Sequence, residues 1–325
     1  MNYHFIAKLF DIKISTSLSR GKIIDDKARI SNGTMNYKRF FEDDFFIKSI
    51  GFLEANAFAN STYVYEVGEY NDLKKVFEKP YYPTAYLNYL IRKVQIFLNA
   101  LWLVKDNSVN LELGFLYIYS NNSPHLRGVH SNSGTSSPTN CYGEYEESVF
   151  TMDELELAIK YNNIIQSENW DEKELSAGRL PLRNPLTKEN GRVGRAFYFL
   201  MLARSESVLP LKIMNFCSIL ECLFTSDSSE VTHKVSERFA RFMGKNLNER
   251  ISYFKLVKDL YKIRSKAVHG QIVRETPEQM KELLKEIDNN IREIFVGYFT
   301  REEKYKVFNL NNEEYEKWFN ELILK

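Results

Sequence analysis

Arg264 and His269 lie five positions apart in the stretch KDLYKIRSKAVHGQ, residues 258 to 271, and His269 is followed directly by Gly270. Histidine exchanges protons near neutral pH, and arginine offers a planar fork of donors that matches phosphate oxygens. RNA carries its own nucleophile, the 2′-hydroxyl, so its cleavage without a metal needs only a proton-transfer group and a cation that stabilises the charge developing on the phosphate. The two residue types therefore suit a metal-free ribonuclease, provided that the fold brings them together.

The same pair also has a structural interpretation. A histidine at the end of a helix can bond to a backbone carbonyl, and an arginine in the last turns is favoured by the helix dipole. A pattern of one arginine and one histidine is short enough to occur by chance in a chain of 325 residues, so its context must decide.

The context is a predicted helix from 247 to 269, which Gly270 ends because glycine tolerates the left-handed backbone of a helix stop. One stripe of this helix is apolar and consists of Leu247, Ile251, Phe254, Val257, Tyr261 and Val268. Arg264 falls inside the stripe, so it needs an anionic partner: a carboxylate, a partner chain or a bound phosphate. His269 lies about 140° further round, at the edge of the stripe.

Charge is distributed unevenly along the chain although its net value is only +1. Residues 232 to 274 contain 11 Lys and Arg against 3 Asp and Glu, a local surplus of 11 − 3 = +8 around Arg264 and His269. Such a basic zone is what binding to a phosphate backbone requires, and it predicts RNA contacts for Lys258, Lys262 and Lys266. A solvated helix face with scattered lysines is the alternative.

The first half of the chain has the pattern of an α+β domain, which we place at 1 to 165. Runs at 4 to 15, 61 to 70 and 110 to 120 predict strands, and 83 to 104 and about 152 to 165 predict helices. Tyr63, Tyr65, Tyr117 and Tyr119 alternate along two of the strands, which favours strand packing over base stacking. Residues 120 to 143 predict a long mobile loop, and 166 to 186, with two prolines, a linker.

From 187 to 325 the pattern is helical only and predicts an all-α up-and-down bundle. Five main helices are expected at 188 to 204, 208 to 224, 229 to 243, 247 to 269 and 277 to 299, with a shorter sixth at 311 to 324. Asn246 with Glu249, and Thr276 with Gln279, have the form of N-terminal capping boxes. We expect the core to contain Leu220, Phe224, Phe239, Phe254 and Ile287.

Several classes of protein are disfavoured by the composition. The N-terminus lacks the apolar core of a signal peptide, and the longest apolar run, 96 to 104, is too short for a membrane span. The three cysteines form no zinc-like pair, which favours reduced thiols in the cytoplasm. His125, His130 and Cys141 could ligate zinc but lack a recognised spacing and a fourth ligand, so we predict neither a metal nor a cofactor.

Three stretches resemble, in order and spacing, the ApeA-like branch of the HEPN superfamily: MNFCSILECLF at 214 to 224, VTHKVSERFARFMG at 231 to 244 and VKDLYKIRSKAVHG at 257 to 270. The similarity covers about residues 187 to 300 and does not reach the first half. It implies a HEPN-like helical bundle that pairs as a homodimer and brings two Arg-x4–6-His motifs to one cleft. It also implies metal-independent RNA cleavage that leaves a 2′,3′-cyclic phosphate and a 5′-hydroxyl, often in bacterial defence against phage.

Carried onto this sequence, the resemblance makes Arg264 and His269 the catalytic pair. Ser265 occupies the next position, where family members often have Asn, Asp or His. Glu221 matches an acidic residue common in the second helix, and because its neighbours are apolar it needs a cation, which Arg238 or Arg264 could supply. Structural pairing is the favoured role for Glu221, with a catalytic role as the alternative.

The sequence thus predicts a cytoplasmic, homodimeric ribonuclease whose N-terminal domain senses a trigger or selects the target. Two alternatives stay open. One is a catalytically silent HEPN module that binds RNA or nucleotide and acts by interaction. The other is the toxin of a toxin–antitoxin pair, which keeps the chemistry and changes the regulator.

Overall fold

A computed structural model describes residues 1–34, 38, 40–77, 82–123, 125–134, 137–167, 186, 190–227 and 229–324. The chain forms two compact units: Met1–Ser137 with Tyr145–Leu182, and Pro138–Glu144 with Arg183–Lys325. Most of the linker expected at 166 to 186 lies outside the described residues.

The first unit combines strands and helices, as the sequence predicts. Its strands are β1 (Asn2–Phe10), β2 (Ile12–Ile14), β3 (Lys22–Ile23), β4 (Arg29–Ser31), β5 (Thr62–Glu69), β6 (Asn110–Tyr119), β7 (Arg127–Ser133) and β8 (Ser148–Phe150). Its helices are α1 (Asp44–Ile50), α2 (Phe52–Ala57), α3 (Tyr70–Lys75), α4 (Pro83–Val104) and α5 (Met152–Ser167). The long helix α4 has the bounds that its sequence predicts, because Pro83 occupies its first turn, where no backbone donor is needed.

Six of these strands form one antiparallel sheet in the order β3-β4-β5-β1-β6-β7. The central strand β1 pairs with β5 and β6, so that His4 lies opposite Tyr117 and Ile6 opposite Tyr65. Strand β2 pairs with β8 in a separate parallel ladder. Because side chains alternate along a strand, β1 contributes to two different cores.

One face of the sheet packs against α4. Phe5 of β1 and Leu90 and Ile91 of α4 belong to this core, and Gly114 of β6 permits the close approach, since a Cβ there would lie 2.8 Å from Ile91 Cγ1. The opposite face is aromatic and consists of Tyr63, Tyr65, Phe115 and Tyr117, packed with Phe40, Phe46 and Phe58. The tyrosines that alternate along β5 and β6 are therefore packed in the sheet, as predicted.

The prediction of a long mobile loop at 120 to 143 is wrong in two places. Residues Arg127–Ser133 form β7, which pairs with β6 from Leu113↔Ser133 to Tyr119↔Arg127. Thr139, Asn140 and Cys141 are buried. The polar, turn-rich composition hid both features, because an edge strand needs few apolar side chains and the buried segment is held by hydrogen bonds.

The second unit contains helices and no strand within its described residues. They are α6 (Gly191–Ser205), α7 (Leu209–Phe224), α8 (Val231–Met243), α9 (Leu247–Val268), α10 (Pro277–Phe299) and α11 (Asn312–Leu324). All six were predicted, whereas the 3₁₀ helix at Glu303–Asn309 was not. Thr276 and Gln279 form a complete capping box at the start of α10, and the Asn246 side chain caps α9 by accepting from the Glu249 N–H.

Helix α7 lies at the centre of this bundle and packs against α6, α8, α9 and α10. Helices α8 and α9 are antiparallel: Arg250, near the start of α9, donates to the Gly244 carbonyl at the end of α8, whereas Lys258, further along α9, lines a cleft with His233 at the start of α8. The expected core residues Leu220, Phe224, Phe239 and Ile287 are all fully buried. Phe254 is only partly buried, so its place in the core was predicted wrongly.

Residues 138 to 144 belong to this second unit although they precede α5 in the chain, whereas the sequence placed them in the first domain. The Thr139 N–H donates to the Arg204 carbonyl at 2.6 Å, and the buried Lys212 ammonium donates to the Ala203 carbonyl at 2.6 Å and to Thr139 Oγ1 at 3.1 Å. Of the helices the structure describes, none has both the length and the apolar character to cross a membrane.

Candidate functional site

The C-terminal end of α9 has a defined geometry that fixes the Arg-His motif. Gly270 has φ +63°, its N–H donates to the Ala267 carbonyl at 3.2 Å, and the Gln271 N–H donates to the Lys266 carbonyl at 2.8 Å. These two bonds are the Schellman motif, in which a glycine in the left-handed region ends a helix. His269 is the C-cap, so Gly270 sets the direction in which the chain leaves the histidine.

Arg264 lies on the face of α9 that packs against α7. Its Nη2 is 3.1 Å from Glu221 Oε1, and its guanidinium carbon lies 5.6 Å from the centre of the Tyr261 ring. Its Nε is enclosed and makes no hydrogen bond to any residue that the structure describes, while 31% of the side chain stays exposed. Of the partners that the sequence allows for this arginine, the structure supplies the carboxylate.

Tyr261 is the site residue that the sequence analysis missed. Its hydroxyl donates to Glu221 Oε1 at 3.1 Å, so Glu221 bridges Tyr261 and Arg264. Burial raises the pKa of Tyr261 well above its usual range, and the Glu221 charge raises it further, so this hydroxyl stays a donor. The sequence analysis assigned Tyr261 to the apolar stripe. Its position one helical turn before Arg264, on the same side of the helix, is the signal that could have identified it as a site residue.

Two cysteines of α7 flank Glu221. Cys217 is fully buried, and burial raises the pKa of its thiol well above the usual range despite the opposing charge of Arg264. Burial likewise raises the pKa of Cys222 to about 11. Since thiolates are the reactive form, these shifts disfavour reaction of both thiols at neutral pH, and none of the three cysteines forms a disulfide among the described residues.

His269 lies on a different side of α9 from Arg264. Its backbone N–H donates to the Ser265 carbonyl at 3.2 Å, its side chain is exposed, and within the described residues its imidazole makes no hydrogen bond or ion pair. Five residues correspond to about 140° around a helix, so one copy of α9 presents the two side chains to different surroundings. Ser265 is also exposed.

The predicted apolar stripe of α9 is only partly right. Leu247, Ile251 and Val268 are 71%, 59% and 52% exposed. The buried residues are Leu256, Val257, Leu260, Tyr261 and Ile263. Apolar residues cover a wider arc of α9 than the bundle covers, so the sequence could not show which part is buried. Arg264 remains on the packed side and His269 on the side that includes Leu247 and Ile251.

Glu221 and Arg238, which the sequence offered as partners, are not paired with each other. Arg238, 3% exposed, instead donates to both carboxylate oxygens of Glu316 on α11, through Nη1 at 2.9 Å and through Nη2. The Ser226 hydroxyl also donates to Glu316. The hydrogen bond from Arg238 holds the pKa of Glu316 below its usual value against the opposing effect of burial.

The three lysines predicted to contact RNA have different surroundings. Lys262 pairs with Asp259 at 2.6 Å, and Lys266 pairs with Glu275 at 2.8 Å. Lys258 lines an open cleft at the start of α8 together with Glu230, Val231, Thr232 and His233. Lys258 is therefore the one of the three that forms no ion pair with a described carboxylate.

Metal-ligating side chains do not cluster in the part of the chain that the structure describes. No group of three or more His, Cys, Asp or Glu residues lies close enough to hold a metal ion there, and this includes His125, His130 and Cys141. Burial lowers the pKa of His130, which lies on β7, so that its ring is neutral at neutral pH.

The geometry thus joins Glu221, Tyr261 and Arg264 in one contact network and leaves His269 outside it. The three stretches that resemble the HEPN superfamily in sequence lie on α7, on α8 and on the second half of α9. Comparisons with protein-family models, with curated proteins and with solved structures give no match to this chain.

Proposed function

We propose that this chain is a metal-independent endoribonuclease of the HEPN type that uses Arg264 and His269. The RNA 2′-oxygen attacks the adjacent phosphorus and the bond to the 5′-oxygen breaks, which leaves a 2′,3′-cyclic phosphate and a 5′-hydroxyl. His269 moves the protons that leave the 2′-oxygen and reach the 5′-oxygen, and Arg264 stabilises the charge on the phosphorane oxygens.

The observation that carries the proposal is the end of α9. A Schellman turn fixes an exposed histidine that has no side-chain partner among the described residues, one and a half turns after an arginine oriented by Glu221. A proton-transfer group must be accessible, whereas a phosphate-binding arginine works best when its fork is held in place. Exposed His269 and oriented Arg264 meet these two requirements.

A homodimer through the bundle explains how the two side chains could act together. His269 shares its side of α9 with Leu247 and Ile251, which are 71% and 59% exposed. Apolar side chains exposed next to each other on one helix are typical of a surface that a partner covers. Ile251 lies 18 residues before His269, about 27 Å along the helix, so the two copies of the motif meet in one cleft if the paired α9 helices run in the same direction along this side. The N-terminal unit would then be the sensor of a trigger in defence against phage.

A second function is favoured by the ion pair itself. Glu221 pairs with the Arg264 charge within the chain, and the Tyr261 ring lies beside it, as in a bundle where this arginine is structural. In that case the protein is a catalytically silent module that binds RNA or nucleotide through the basic zone at 232 to 274.

The two functions are separated by incubating the purified full-length chain with tRNA and total RNA in EDTA and mapping the RNA ends. The proposal expects cleavage that chelator does not reduce, with 2′,3′-cyclic phosphate and 5′-hydroxyl ends. RNA that is bound but stays intact would support the silent module. Cleavage that stops in EDTA, or that leaves 5′-phosphate ends, would contradict the proposed mechanism.

A further inference from the structure

A cleft of about 450 Å³ opens on the aromatic face of the sheet in the first unit, within the size range of small-ligand sites. Its lining residues come from β1, β6 and the chain around the start of α1, and they are His4, Phe40, Glu42, Asp43, Asp44, Tyr117 and Tyr119. Of these seven described residues, four carry rings and three carry carboxylates, and the described lining contains no lysine or arginine.

The aromatic wall is built by the pairing of the strands. Tyr117 and Tyr119 stack with ring centres 4.9 Å apart, and His4, opposite Tyr117 in the ladder, meets the Tyr119 ring edge-on, also at 4.9 Å. The centre of the Phe40 ring lies 5.1 Å from the centre of the His4 ring. The His4 Nε2 and the Tyr119 hydroxyl are 2.8 Å apart, so the rings are held in position before any ligand binds.

The acidic wall is fixed by the start of α1. Asp43 is the N-cap and accepts from the Phe45 N–H at 2.8 Å, while its other oxygen accepts from the Tyr117 hydroxyl at 2.5 Å. Burial raises the pKa of Asp43, but these hydrogen bonds outweigh burial and hold it below its usual value, so Asp43 is ionised at neutral pH. Glu42 and Asp44 are exposed at the mouth of the cleft.

Two cations lie near these carboxylates without lining the cleft. Lys48 is 3.7 Å from Asp44, with both side chains at least 80% exposed, so solvent and salt screen this pair. Arg127 is 3.7 Å from Asp43, and its guanidinium lies 4.4 Å from the centre of the Phe45 ring. The chain itself therefore places a guanidinium between an aromatic ring and Asp43 beside the cleft.

We propose that this cleft binds an organic cation, an ammonium or guanidinium group that contacts the partly exposed His4 and Tyr119 rings of the aromatic wall and pairs with the carboxylates. A cation within about 6 Å of a ring centre is attracted by the ring quadrupole, and nearby carboxylates add Coulomb attraction. The same carboxylates repel phosphates, so the cleft favours a cation over a phosphate group. The group can come from a free amine or from a basic side chain of a polypeptide, and the inference does not depend on ribonuclease activity.

Isothermal titration calorimetry of the full-length chain tests this with three cationic probes: choline, agmatine and N-acetyl-arginine amide. N-acetyl-glutamate serves as the anionic control. We expect saturable binding of at least one cation, weakened by added salt, and no binding of the anion. If agmatine or choline binds and the arginine amide does not, the source is a free small-molecule cation. Tighter binding of the arginine amide identifies a polypeptide side chain.

Variants locate the binding. The double substitution Glu42→Gln and Asp44→Asn keeps side-chain volume and removes two exposed charges, and Tyr119→Leu keeps apolar area and removes the ring. Each should weaken binding at least about tenfold, with unfolding of every variant checked by circular dichroism. Glu112→Gln, an exposed carboxylate at the other end of β6, is the matched control and should bind like the wild type. No saturable binding of any cation, or equal binding by all variants, would overturn the proposal.

Discussion

Glu221 of α7 pairs with Arg264 of α9 at 3.1 Å, and the Tyr261 hydroxyl donates to the same carboxylate oxygen at the same distance. The carboxylate thereby fixes one prong of the arginine fork, and the tyrosine ring supports it. Whether this arrangement serves catalysis or only the bundle is decided by substitutions that keep the charge and change the geometry.

Arg264→Lys is expected to lower the rate of RNA cleavage by about 10²-fold or more, because lysine keeps the charge and loses the two-pronged contact with phosphate. Both partners of the ion pair are about a third exposed, so the free energy of unfolding should change by less than about 1 kcal/mol. Single-turnover cleavage and urea unfolding measure the two effects. The control is Arg274→Lys, at an exposed arginine beyond the motif. If Arg264→Lys cleaves RNA at the wild-type rate, the role of Arg264 is structural.

His269→Ala is expected to reduce cleavage by about 10² to 10⁴-fold, because it removes the proton-transfer group. The imidazole is exposed and makes no hydrogen bond or ion pair with a described residue, so stability should be unchanged, and RNA should still bind through the basic zone at 232 to 274. Cleavage assays and filter binding on the same preparation separate the two effects. His125→Ala, an exposed histidine of the first unit, is the matched control. Undiminished cleavage by His269→Ala would place the chemistry elsewhere.

Replacing both Leu247 and Ile251 with glutamate is expected to convert a dimer into a monomer, because these exposed side chains lie on the side of α9 that the proposed interface covers. Light scattering at micromolar concentration gives the mass, and circular dichroism checks the fold. Met201→Glu, on α6 and 39% exposed, is the control. A wild-type chain that is monomeric under these conditions would contradict the homodimer.

Glu316→Gln is expected to destabilise the second unit by about 2 kcal/mol, because it leaves the buried Arg238 without its carboxylate. This is less than the roughly 3 to 5 kcal/mol of a fully buried pair, since the Glu316 side chain is 32% exposed. Urea unfolding at pH 7 measures the loss. Glu303→Gln, from the exposed pair with Lys306, is the control and should have no effect.

The same carboxylate predicts a pH dependence. The folded-state pKa of Glu316 is lowered, so its contribution is fully present above the unfolded pKa of about 4.3 and is lost as the pH falls through the folded value. Stability of the wild type should therefore decline below about pH 4.3 more steeply than that of Glu316→Gln. Parallel acid limbs for the two proteins would contradict this assignment.

Gly270→Ala is expected to destabilise the chain by about 1 kcal/mol, because φ is +63° there. A Cβ would meet no atom within 4 Å, so the whole effect comes from the backbone conformation. Gly194→Ala, within α6, is the opposite case and should stabilise by about 0.5 to 1 kcal/mol, since a Cβ there makes only ordinary contact with Asn190. Thermal unfolding of both variants checks the difference in sign.

The helix boundaries of the second unit were predictable because their signals are local. Thr276, Gln279 and Gly270 act on backbone groups within a few residues, so their positions in the sequence alone set the start of α10 and the end of α9. The same holds for α4, whose bounds follow from Pro83 and a continuous apolar pattern. Arg264 falls within the apolar arc of α9, but that arc is wider than the buried side, so its spacing alone did not place it on the packed side.

The partners in ion pairs and the pairing at the edge of the sheet could be identified only from the tertiary structure. Arg238 pairs with Glu316, 78 residues away, and Arg264 with Glu221, and no local pattern distinguishes these choices because an ion pair depends on which helices become neighbours. The exposure of Leu247 and Ile251 depends on how far the bundle extends around α9. Likewise β7 is a strand only because β6 offers its free edge, and the cleft lined by His4 and Tyr119 exists only because β1, β6 and the start of α1 meet at one end of the sheet. Sequence determines what each segment can form, and long-range packing decides which side of it is covered and which charges meet.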